Sequence, residues 1–108
     1  MNEQTLQRAK RIITEEVERA GCRVVKVILF GSRARGDVRA DSDWDLLVVI
    51  DRDIAPAVRR EILGEASVRL VRQGIVADIL IHSLRSVAMH QHDVGHIAYY
   101  VLKEGAEV

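Results

Sequence analysis

Two carboxylates head the most apolar stretch of this chain. In Ser42-Asp43-Trp44-Asp45-Leu46-Leu47-Val48-Val49-Ile50 the aspartates occupy alternate positions, and Leu46 to Ile50 is uninterrupted aliphatic sequence. Such a run folds as a strand, and alternate side chains of a strand share a face. Asp43 and Asp45 therefore stand side by side, with Trp44 turned to the other face as a core residue. Two like charges about 4 Å apart repel by roughly 4 kcal/mol at an effective dielectric of 20. A chain shaped for stability alone has little reason to keep that pair, whereas a divalent cation between the carboxylates converts repulsion into attraction.

The surrounding pattern is one of alternating helices and strands. Leu6, Ala9, Ile13, Val17 and Ala20 recur at helical spacing and Gly21 follows as a stop, so the first twenty residues read as an amphipathic helix. Val24 to Phe30 reads as a strand ending at Gly31-Ser32, and Trp44 to Ile50 as a second. A second helix carries Val58, Ile62, Ala66 and Leu70 on one face, with Asp53 as its expected cap, Pro56 in its first turn and Gly74 at its end. Val76 to Ile81 is a third strand, and 84–91 and 94–103 are two short helices broken at His92-Asp93. An α/β fold follows, with a small sheet flanked by helices in a single domain over 1–108. No repeat or linker divides it.

Composition narrows the partners. Sixteen basic and sixteen acidic side chains cancel, which removes the electrostatic footprint of a non-specific nucleic-acid binder, so direct nucleic-acid binding is not expected and phosphate recognition must be local. No apolar run approaches the roughly 20 residues that span a bilayer. Cys22 is the lone cysteine and no charged-then-apolar leader opens the sequence, from which a cytoplasmic location is expected.

Asp78 is the one charged residue in Val76-Ala77-Asp78-Ile79-Leu80-Ile81. Buried without a partner it would cost several kcal/mol, so it is expected to face Asp43 and Asp45 from the neighbouring strand. Three carboxylates on one sheet face suit Mg²⁺, whose usual chemistry is phosphoryl or nucleotidyl transfer, often with two ions. In the turn Gly31-Ser32-Arg33-Ala34-Arg35-Gly36, Gly31 allows close backbone approach, Ser32 offers a hydroxyl and an amide, and Arg33 and Arg35 can neutralise phosphate. This is not a P-loop, since its glycine spacing and Lys-Ser/Thr pair are missing, and no GxGxxG occurs. Asp41, Asp43 and Asp45 mimic the start of an EF-hand, but Leu46 stands where glycine is needed and Arg52 where the last glutamate is needed.

Gly31-Ser32-Arg33-Ala34-Arg35-Gly36, then Ser42-Asp43-Trp44-Asp45-Leu46, then a lone aspartate in a following strand resembles the polymerase-β nucleotidyltransferase superfamily. The branch it resembles is that of minimal nucleotidyltransferases, which includes the MntA-like antitoxins, and the resemblance covers nearly the whole chain. It implies a small mixed sheet flanked by helices, Mg²⁺ on Asp43, Asp45 and Asp78, and nucleoside triphosphate, ATP in particular, on Gly31 and Ser32. It also implies a partner, a helical HEPN-type protein encoded by an adjacent gene and modified with AMP on tyrosine.

The remaining polar residues have plainer readings. His90, His92 and His96 match no zinc spacing and are read as a polar corner between helices, and Tyr99 and Tyr100 as packing residues. Two functions then compete. One is an Mg²⁺-dependent protein adenylyltransferase antitoxin; the other is a non-catalytic module that neutralises the partner by covering it. An aminoglycoside-type transferase is weaker, since 108 residues leave little room for a small-molecule acceptor pocket.

Overall fold

The computed structural model describes residues 3–31 and 44–108. Chain order is α1 (Glu3–Arg19), β1 (Val24–Phe30), β2 (Trp44–Ile50), α2 (Pro56–Arg72), β3 (Ala77–Ser83), α3 (Leu84–His90), α4 (Ile97–Glu104) and β4 (Ala106–Glu107). The strands form one mixed sheet in the order β3-β2-β1-β4, with β2 parallel to β3 and antiparallel to β1, and β4 antiparallel to β1.

Helices cover both faces, which explains why β2 is apolar at nearly every position. Trp44, Leu46, Val48 and Ile50 point to the layer made by α1 and α2, where Leu6, Ile13, Val17, Ile62, Ala66 and Leu70 meet them. Leu47 and Val49 point the other way, to Ile28 and Phe30 of β1, Val87 of α3 and Val101 of α4. Trp44 is buried as expected.

The helices of the first layer are also joined by charge. Glu16 sits on the buried stripe of α1 where helical spacing from Ile12 and Ile13 calls for an apolar residue. Its carboxylate accepts from Arg69 of α2 at 2.7 Å and from Arg19 at 3.1 Å. Arg69 also donates to Glu15 at 2.7 Å, and that hydrogen bond holds the Glu15 carboxyl below its ordinary pKa.

Three sequence expectations need correction. Asp53 does not cap α2: Pro56 starts the helix and Ala55 is its N-cap, leaving Asp53 two residues too early. Asp53 instead accepts from the Ser83 hydroxyl and from Arg85 at 3.2 Å, fastening the approach to α2 onto the start of α3. The third strand runs to Ser83 because every residue from Trp44 to Ile50 pairs with one from Ala77 to Ser83, and non-local pairing decides where a strand stops. Strand β4 was not expected, since two residues display no period. It docks at Ile28 and Leu29 of β1, and Gly105 ahead of it is so close to Ile28 and the carbonyls of Val101 and Leu29 that a β-carbon would collide.

Leu46, fully buried in the central strand, should lose about 2–5 kcal/mol as Leu46→Ala. Gly64, exposed in mid-α2 with open space around its Cα, should gain about 1 kcal/mol as Gly64→Ala. Urea unfolding checks both.

Candidate functional site

The register of the parallel pair sets Asp45 beside Asp78. Across a parallel ladder, paired residues project to the same face on strands about 4.8 Å apart. On the other side of Asp45 the antiparallel partner is Phe30, the last residue of β1. Asp45 and Asp78 thus share a face with Leu47, Val49 and Leu80, and they lie at its open end, where Asp45 is half-buried and Asp78 exposed.

That exposure corrects one step of the sequence argument. Asp78 is the second residue of its strand and reaches solvent, so burial does not compel it to find a partner. Its place in register beside Asp45 is what links it to the pair.

Gly31 closes the arrangement. It follows β1 directly with φ +77°, in the left-handed region that favours glycine. A β-carbon there would fall well inside contact distance of the Asp45 carboxylate. The turn after β1 is therefore pressed against that carboxylate by backbone alone. Asp43, Ser32, Arg33 and Arg35 lie outside the described residues. Among the described residues no group of three or more His, Cys, Asp or Glu is placed to hold a metal, so the expected metal set depends on Asp43 joining Asp45 and Asp78.

The same end of the sheet adjoins the ends of the first helix layer. Ile75 N–H donates to Leu70 O at 2.9 Å and Trp44 N–H to Val76 O at 3.2 Å, which ties the end of α2 to the start of β2. Lys10 Nζ reaches Val108 O at 2.8 Å while Val108 N–H donates to Val27 O at 2.9 Å, setting the middle of α1 over the middle of β1. The four-residue turn between them brings the chain back, so the first half of α1 extends toward Gly31. A groove of about 240 Å³ between these two helix ends is lined by Arg8, Arg11, Ile12, Arg69, Arg72 and Gln73. Sequence reasoning passed over these arginines, although the i, i+3 spacing in Arg8-Ala9-Lys10-Arg11 and Arg69-Leu70-Val71-Arg72 was visible.

At the opposite end of β3 the histidines gather differently from expectation. His90 and His96 stack at 4.1 Å between centroids and His82 meets His96 edge-on at 5.7 Å, whereas His92 is exposed. His90 contacts Asp93 at 2.8 Å and His82 lies 3.4 Å from Ser86. His96 accepts from Ala98 N–H at 3.0 Å, capping α4. His82 enters because β3 runs past its expected end. Burial first, then the positive fields of His96, Arg59 and His90, hold the His82 imidazole below its ordinary pKa. Tyr99 is half-buried beneath Lys103, 5.8 Å from its ring, and Tyr100 is exposed rather than packed.

The nucleotidyltransferase domain family matches residues 7–87. A Methanocaldococcus jannaschii protein that carries the provisional name protein adenylyltransferase is 36% identical over 61 residues, which cover 56% of this chain and 56% of that protein. The chain thus spans about half the length of that relative. A crystal structure of a toxin-antitoxin with AMP-PNP is 20% identical, covering 99% of this chain and 72% of that one with a TM-score of 0.53. This likeness shows a shared fold. Among the described residues no helix is long and apolar enough to cross a membrane.

Two measurements probe these local arrangements. Gly31→Ala should destabilise by about 1–2 kcal/mol or more, from the left-handed backbone and the clash with Asp45. Because folded His82 resists the proton that the unfolded chain accepts, stability should be full above about pH 6.5 and fall as pH drops below it. Urea midpoints at neutral and mildly acid pH, with His82→Gln flattening the difference, check the second.

Proposed function

Because the chain belongs to the nucleotidyltransferase domain family, we propose that it is an Mg²⁺-dependent protein adenylyltransferase antitoxin, moving AMP from ATP to a hydroxyl of a HEPN-type partner. The observation that carries the reading is the pairing of Asp45 with Asp78 at an open sheet end, closed on one side by a glycine turn. The names of the adenylyltransferase relative and the toxin-antitoxin neighbour support the acceptor and partner classes.

The donor chemistry fits magnesium. Two carboxylates on adjacent strands, partly solvated and followed by apolar residues on the same face, offer hard oxygen donors at a site open to water and phosphate. Asp43, two residues before Asp45, would complete the set. Bound there, two ions would neutralise charge on the triphosphate and on the departing pyrophosphate.

The chain's own residues supply the rest. Gly31 gives the triphosphate a backbone it can approach without a side chain between, Ser32 donates to it, and Arg33 and Arg35 offset its charge. The acceptor hydroxyl oxygen bonds to the α-phosphorus as the bond from that phosphorus to the bridging oxygen breaks. Pyrophosphate leaves with that electron pair, and the hydroxyl proton passes to Asp78. Its contribution as base rests on position, over a short hydrogen bond to the acceptor hydroxyl.

The test is incubation of the purified chain with the product of its neighbouring gene, Mg²⁺ and α-labelled ATP. Label should appear on the partner. Asp45→Asn should abolish transfer without lowering the metal-free melting temperature, since it removes a repulsion. Asp78→Asn should keep MgATP binding and slow transfer about 10²-fold. A stable complex with no label would favour a covering module instead, and label on a small molecule would favour an aminoglycoside-type acceptor.

A further inference from the structure

The arginine groove between α1 and α2 has no part in holding the nucleotide as described above. Arg8 and Arg11 lie one turn apart on α1, Arg69 and Arg72 one turn apart on α2, and the two pairs line the same groove of about 240 Å³. Like charges at this spacing destabilise a helix. Arg69 is half-buried and committed to Glu15 and Glu16. Arg8, Arg11 and Arg72 are exposed, and among the described residues none of them has an acidic group within ion-pair distance. The helix dipole accounts for Arg69 and Arg72 in the last turn of α2. The i, i+4 spacing to Glu15, whose carboxyl Arg11 helps to hold below its ordinary pKa, accounts in part for Arg11, and neither effect accounts for Arg8.

We propose that Arg8, Arg11 and Arg72 form a docking groove for an acidic segment of the polypeptide that accepts the nucleotide. This rests on the reading of transfer to a polypeptide. In a chain of zero net charge a local excess of cations is a selective surface rather than a general one. The groove lies in the α1–α2 layer and the carboxylates on the opposite face of the sheet, toward the same end of β2 and β3. Five residues lie between Arg72 and Asp78, so their Cα atoms are no more than about 22 Å apart. The chain between them carries the exposed Val76, and Val71 beside Arg72 is exposed too, at 60% and 66%. Ile12 lines the groove among the arginines. An occupant that meets guanidinium groups and then aliphatic side chains must offer carboxylates interleaved with apolar groups. A polypeptide that carries both kinds of side chain does so.

The test uses the full chain and three labelled probes: a peptide of alternating glutamate and leucine, its glutamine counterpart, and a single-stranded oligonucleotide of equal charge. Fluorescence anisotropy should show the acidic peptide binding best, weakening as salt rises. Arg8→Glu with Arg72→Glu should weaken it about tenfold, the weight of two exposed ion pairs. MgATP titration of the same samples should be unchanged by the double variant, and circular dichroism should report the same fold. Because MgATP binding reads the nucleotide site alone, its loss in the unaltered chain would count against the transfer reading and not against the groove. Equal binding of both peptides, an undiminished affinity in the double variant, or tighter binding of the oligonucleotide would overturn the proposal.

Discussion

The parallel pairing of β2 with β3, Trp44 on Ala77 through Ile50 on Ser83, is the constraint on which the rest depends. A slip of one residue would turn every side chain of β3 to the wrong face. Leu80 would leave the layer under α3 and α4, Ile79 and Ile81 would leave the layer under α1 and α2, and Asp78 would turn away from Asp45. The register that buries the aliphatic residues is the same one that sets the carboxylates together. Stability and candidate chemistry are therefore fixed by one choice.

A parallel pair cannot be joined by a hairpin, and the crossover here is α2. The crossover returns the chain to the end where β2 began, so the last turn of α2, the start of β3 and the glycine turn after β1 converge. The Glu16–Arg69 contact then secures α2 to α1 from within the helix layer. A buried carboxylate is tolerable there because two guanidinium groups satisfy it, and removing either would leave charge without adequate solvation. The arginines beside it face outward from that same junction.

The two ends of the sheet carry different titratable groups. At one end Asp45 and Asp78 gather negative charge in partly open surroundings. At the other, His82, His90 and His96 gather beside Asp93, and burial with nearby positive charge holds the His82 imidazole below its ordinary pKa. The aliphatic body of β2 separates them.

What the sequence determined by itself was local. Apolar spacing located α1, β1, β2 and α2 within a few residues, because side-chain period is a direct consequence of backbone geometry. The alternation in Asp43-Trp44-Asp45 likewise set Trp44 on the face opposite Asp45, and Trp44 is in the core. Whatever depended on residues far apart in the chain waited for the tertiary structure. Asp78 looked like a buried charge from its neighbours and is exposed; Asp53 looked like a cap and is a tie to Ser83; His82 belonged to no visible cluster until pairing carried β3 past Ile81. The arginine pairs at 8 and 11 and at 69 and 72 were legible as helix spacing, yet only the packing of α1 on α2 made them one groove. Strand partners and helix contacts are chosen by total burial across the fold, and no short window of sequence contains that sum.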